Sequence, residues 1–247
     1  MAVHIHFWVG PWKSSAQVSP TIGWPVSVSV AVNVSLSCAF GCPMEGPVAA
    51  ADALQWVQRF CERGVTRFTL CDTTGMADPA QVRRLFRRLQ AAIGDRAGAA
   101  HLHNTRGLGL ANCLAAFDVG VSSFDSSQAG LGGCPYAPGA SGNVVTEDLV
   151  FLFERMGVHT GVDLHRLVAA RAVLQRGLPG EPLHGMLPEA GLPPGFVYAD
   201  GRLPDAAPLR VVATDVEAGG PSAGPLPSRP AIPSGDRPTF ASDEGWT

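Results

Sequence analysis

VTRFTLCDTTGMADPAQVRRLFRRLQAAIGDRAGAAHLHN, residues 65–104, holds one full cycle of strand, turn, helix and strand. Val65 to Leu70 is a short β-branched and aromatic run that gives way to Asp72-Thr73-Thr74-Gly75, as a strand ending in a polar turn does. Asp78-Pro79 then predicts an N-cap followed by a proline at the first helical position. Val82, Leu85, Phe86, Leu89 and Ile93 fall on one face of the helix before Gly94 closes it. A second strand at about 98–102 ends in His101-Leu102-His103-Asn104.

The same cycle repeats on both sides. Upstream, VSVSVAVNVSLSCAF (26–40) alternates with a period of two and stops at Gly41-Cys42-Pro43, and a helix is expected at 48–63. Downstream, a helix near 107–118 precedes a strand at 121–125, followed by helices near 146–156 and 163–176. Cycles of 25 to 30 residues imply βαβ units, a parallel sheet, and ligands gathered where the strands end. Four such units are half of the eight in a closed (β/α)₈ barrel, so the fold is α/β, either a small open sheet or part of a barrel. Residues 1–25 show no sustained period and are expected to be irregular. Residues 188–247 hold eleven of the 21 prolines and are expected to form a largely disordered tail, its loss of pattern clearest beyond about 200. The folded domain is then 26–187.

With 46% apolar residues in 247 the chain can bury a sizeable core, and the 29 glycines and 21 prolines must be absorbed in loops or the tail. A formal charge of −3 argues against nucleic acid as a partner; the one basic cluster, Arg83, Arg84, Arg87 and Arg88, lies on a helical pattern. No apolar run approaches the ~18 residues of a membrane span. Six scattered cysteines do not look like a disulfide framework, and with no legible leader a cytoplasmic setting is expected.

Polar groups collect at the strand ends: Asp72 after the second, His101 and His103 after the third, Asp125-Ser126-Ser127 after the fourth. Residues two apart in a strand point to one side, so the two imidazoles project together as half of a metal site, unless each merely hydrogen-bonds a neighbouring loop. The segment GLGGCPYAPGASGN (130–143) has five glycines, which let a loop approach a ligand closely, and carries Cys134. A mobile lid bearing a thiol and a buried structural cysteine are both compatible with that composition. Asn143 could cap the following helix or bind a metal.

Here the sequence becomes specific. GCPMEG (41–46), CDTTGMADP (71–79), HLHNTRGLGLAN (101–112) and the long word from Ser126 to Leu164 resemble the C-terminal part of 3-hydroxy-3-methylglutaryl-CoA lyases, members of a metal-dependent (β/α)₈-barrel superfamily. The resemblance runs from about Val26 to Phe196. It implies that His101, His103 and Asn143 bind Mg²⁺ or Mn²⁺, a ligand set suited to a six-coordinate hard cation. It implies further that Cys134 is the catalytic cysteine, that His101 also acts in proton transfer, and that Asp72 is catalytic, with Cys42 and Glu147 beside the site. The implied substrate is an acyl-CoA, cleaved by a retro-Claisen reaction to acetyl-CoA and acetoacetate.

The match has a gap. The family's first strand carries an Arg-Asp pair followed by Gly or Glu, and no such word occurs here. The half-barrel expected from the four units would therefore show impaired activity, or act as an inactive partner that pairs with itself or with a full-length homologue. A structural zinc site built on Cys38 and Cys42 is a third reading, with no matching ligand pair elsewhere.

Overall fold

The computed structural model describes residues 33–94, 97–133, 142–205 and 209, with the backbone of 4–7. Five parallel strands form one sheet among them: β1 (His4–Phe7), β2 (Asn33–Leu36), β3 (Arg67–Asp72), β4 (Ala97–Leu102) and β5 (Ser123–Ser126), in the order β1-β5-β4-β3-β2. From β2 onward strand and helix alternate as the pattern predicts. Helices α1 (Ala50–Cys61), α2 (Pro79–Ile93) and α3 (Gly109–Phe117) follow β2, β3 and β4, and α4 (Thr146–Arg155), α5 (Leu164–Gly177) and the single turn α6 (Leu187–Ala190) follow β5.

Local chemistry accounts for the elements. Asp78 caps α2 by accepting from the Gln81 N–H at 2.8 Å, Pro79 opens it, and Val82, Leu85, Phe86 and Leu89 are its buried stripe. Asp163 caps α5 in the same way through the Arg166 N–H. Strands β3, β4 and β5 bury one face fully: Phe68 and Leu70 on β3, Ala100 and Leu102 on β4 and Phe124 on β5 lie under the helices. Phe153 of α4 closes this core against Phe124 and Phe117, with ring centroids 5.2 and 5.3 Å away. The opposite face carries polar residues, among them Asn33, whose amide donates to Thr69 Oγ1 at 2.8 Å.

Two expectations are corrected. Residues 4–7 lie in a parallel strand paired with β5 rather than in an irregular segment; four residues are too short for a visible period, and the ladder comes from β5 rather than from local pattern. Residues 188–205 belong to a second apolar cluster in which Leu187, Phe196, Tyr198 and Leu209 pack with Val150, Leu164 and Val168. Its prolines and glycines shape turns around two buried anchors, Phe196 and Tyr198, instead of leaving the chain unpacked. The rest of the expected tail, apart from Leu209, lies outside the described residues, as do residues 8–32. No helix among the described residues is long and apolar enough to cross a membrane.

Candidate active site

Parallel register brings the strand ends to one level. Cys71 of β3 pairs with His101 of β4, which pairs with Asp125 of β5, so the three form a row across the sheet on the face away from the helices. His103 follows two residues after His101, and the Nε2 atoms of the two rings are 3.2 Å apart. The predicted same-side projection of the imidazoles is what the backbone produces. Asp125 Oδ2 stands 3.5 Å from Nδ1 of His101, which favours the tautomer with its proton on Nδ1 and a lone pair on Nε2.

Asn143 arrives from the other side. Residues 142–146 run between the ends of β4 and β5: Asn104 N–H donates to the Gly142 carbonyl, Val144 N–H to Leu102, and Ser127 N–H to Val144, with Asn143 bridged to His103. The fit depends on glycine at 142, where φ is +146° and a Cβ would lie 2.3 Å from the Gly130 carbonyl oxygen. The Asn143 amide does not cap α4, whose N-cap is Val145; its Nδ2 donates to the Leu131 carbonyl at 2.8 Å. Oδ1 is left buried with no hydrogen-bond partner among the described residues.

This donor set fits a divalent cation. Two nitrogens bound at right angles to one ion at about 2.2 Å are about 3 Å apart, near the observed Nε2 separation. An unpartnered buried carboxamide oxygen is costly unless something positive meets it. Burial, helped by the neighbouring His101, pushes the His103 pKa down to about 4, so the ring is neutral and its lone pair available near pH 7. Among the described residues no three His, Cys, Asp or Glu side chains gather around a common point, so the cluster depends on the carboxamide.

The remaining predicted residues divide. Asp72 is buried below the row, and its carboxylate accepts from the Met76 N–H at 2.8 Å and the Ala77 N–H at 3.2 Å, tying down the loop after β3. Burial raises its pKa in spite of those bonds. Cys42 is buried in the Cys42–Gly46 turn. Glu147 is fully buried at the start of α4, where its carboxylate accepts from the Ala129 N–H and from Arg171 Nη1 at 2.7 Å. Cys134 lies outside the described residues. The Cys71 thiol, desolvated by burial, is pushed up to about 12, unsuited to nucleophilic or acid work near neutrality. Asp125 was visible in the sequence only as one polar residue at a strand end; its role at His101 requires the register of two strands.

The HMGL-like family model matches residues 25–174. The chain is similar to the (R)-citramalyl-CoA lyase of Chloroflexus aurantiacus, 45% identical over 64% of this chain and 50% of that protein. It is also similar to the human mitochondrial hydroxymethylglutaryl-CoA lyase, 44% identical over 58% of this chain and 44% of that one. Among solved structures, an HMG-CoA lyase from Acinetobacter baumannii in complex with coenzyme A and 3-methylmalate superposes with a TM-score of 0.63 at 42% identity, covering 66% of this chain and 53% of that one. The chain spans about half the length of the curated relatives it matches. Its alternating strands and helices correspond to part of the lyase barrel, and the chain belongs to the HMGL-like family.

Proposed function

We propose that this chain carries part of a divalent-metal-dependent carbon–carbon lyase site, with 3-hydroxy-3-methylglutaryl-CoA as substrate and acetyl-CoA and acetoacetate as products. The observation that supports it most directly is the pair of Nε2 atoms 3.2 Å apart beside a buried, unpartnered Asn143 Oδ1. His101, His103 and Asn143 would hold Mg²⁺ or Mn²⁺, which when bound supplies positive charge to ease loss of a hydroxyl proton.

In the proposed reaction the tertiary hydroxyl gives up its proton, the C–O⁻ pair becomes a carbonyl, and the adjacent C–C bond breaks. The bonding pair goes to the carbon next to the thioester, forming the acetyl-CoA enolate, which then takes a proton. With Nε2 given to the cation, His101 takes part in proton transfer through its Nδ1–H and the Asp125 carboxylate beside it, Asp125 being the base we assign to the hydroxyl proton, and Cys134 is the acid we assign to the enolate. Asp72 acts by fixing the loop after β3 rather than by moving a proton, since both its oxygens are occupied by backbone N–H groups. The family's Arg-Asp pair, whose guanidinium would stabilise the enolate, does not occur in the sequence, and slow turnover of the isolated chain is expected.

Mn²⁺ titration followed by electron paramagnetic resonance, paired with an acetoacetate assay, tests this reading. Wild type binds Mn²⁺, Asn143→Ala and His103→Ala weaken binding at least tenfold, and acetoacetate appears slowly with Mg²⁺. Absence of Mn²⁺ binding overturns the site; preferential cleavage of citramalyl-CoA overturns the substrate; rapid turnover by the chain alone overturns the impairment. The open sheet, with β2 and β1 at its edges, favours pairing with a second copy or a full-length homologue as a second reading, for which light scattering of the purified chain is the test.

A further inference from the structure

Arg171 lies on α5, far along the chain from the imidazoles, and its side chain is almost wholly buried. Its Nη1 donates both to Glu147 Oε1 at 2.7 Å and to the His184 carbonyl at 2.8 Å. Glu147 accepts the Ala129 N–H at 3.1 and 3.2 Å, and the His184 N–H donates to the Ala129 carbonyl at 2.9 Å. The four residues close a ring around Ala129, and Arg171 is the member that joins its two arms.

Ala129 is buried and left-handed, with φ +58°, in the short 3₁₀ turn Gln128–Gly130. An L-residue stays in that conformation only when its surroundings over-determine it. Two residues on, the Leu131 carbonyl takes the Asn143 amide at 2.8 Å, and that bond turns Asn143 Oδ1 away as a free acceptor. A buried ion pair is weak support for stability, because desolvation offsets most of the attraction, so its use here lies in fixing geometry.

We infer that Arg171 is a positioning residue for the cation site, setting the 128–131 turn through Glu147 and His184 so that Asn143 presents its oxygen. This rests on the cation reading of His101, His103 and Asn143 given above.

The test is Mn²⁺ affinity measured by electron paramagnetic resonance at a temperature where circular dichroism shows each protein folded. Wild type, Arg171→Met, Arg171→Lys, Asn143→Ala, the Arg171→Met/Asn143→Ala double variant and Phe196→Ala are compared. Phe196→Ala is the control, because it weakens the packing beneath the same helix without touching the ring. The expected result is a loss of tenfold or more in Arg171→Met, a smaller loss in Arg171→Lys, and affinity within twofold of wild type in Phe196→Ala. The double variant binds no more weakly than Asn143→Ala alone, because both changes act through one oxygen. Should Arg171→Met fail to fold, Arg171→Lys decides by itself: its ammonium ends one bond short of Nη1, the atom that meets both Glu147 and His184, and a severalfold loss is expected. Wild-type affinity in the arginine variants, an equal loss in Phe196→Ala, or losses that multiply in the double variant overturns the inference while leaving the site intact. Wild type that binds no Mn²⁺ overturns the site itself, and the inference with it.

Discussion

Asp72 shows how a residue recognised in sequence takes its partners from the loop that follows it. It ends β3, as the strand-like run predicts, and the loop that follows folds back so that the Met76 and Ala77 N–H groups take its oxygens. Burial raises its pKa, so between the ordinary carboxyl value and the raised one the native state holds a proton that the unfolded chain has released. Wild-type stability from this group is therefore present at low pH and lost as pH rises through the raised value. Asp72→Asn keeps an acceptor for the two N–H groups and has no charge to bury. The melting temperature of Asp72→Asn relative to wild type should rise as pH is raised above the ordinary carboxyl value of about 4, measured by differential scanning calorimetry; a difference that stays constant with pH contradicts the account.

Among the elements, β4 carries the site, and its placement depends on Gly98. The register between β3 and β4 slips at Phe68/Thr69: Phe68 faces Ala97 and Thr69 faces Ala99, so Gly98 is the extra residue of a bulge. A Cβ there would lie 2.2 Å from the Phe68 carbonyl oxygen, which is backbone and has no room to give. Gly98→Ala must therefore displace one strand against the other, at a cost of about 3 kcal/mol. For a folded unit of this size that is a fall of roughly 6–12 °C in melting temperature. Mn²⁺ affinity falls with it, since His101 stands three residues along the same strand. An unchanged melting curve would show that the bulge does not depend on glycine. Periodicity located β4 well, but a bulge has no period, and Gly98 reads in sequence as one more small residue in AGAAHL.

At the level of the whole molecule, a second core holds α4 and α5 against the segment that follows them. Phe196 stacks on Phe151 at 5.7 Å and meets Tyr198 edge-on at 5.1 Å, and the Leu164 N–H donates to Tyr198 Oη at 3.0 Å. Glu154 secures the same segment, accepting from the Ala199 N–H at 2.7 Å and from Thr160 at 2.7 and 2.6 Å. Phe196→Ala is expected to cost about 3 kcal/mol, or roughly 6–12 °C, and to expose Val150, Leu164 and Val168 to water. Thermal unfolding within a degree or two of wild type would mean that residues 188–205 are not part of the folded unit. A proline-rich segment with two aromatics lacks any repeating pattern, so its burial becomes apparent only when the surface it covers is known.

Amino-acid order alone determined the alternation of strands and helices, the cap at Asp78, and the projection of His101 and His103 to one side, because each follows from contacts a few residues apart. It also carried the family words that identify the chain's relatives. Tertiary structure decided that Asn143 turns its oxygen free, that Asp125 backs His101, and that Arg171 closes a buried ring. Each of these joins groups on different elements, a dozen or more residues apart along the chain. No local rule of propensity or period records where a strand's neighbour will stand, and these side chains acquire their partners only when the sheet and helices pack.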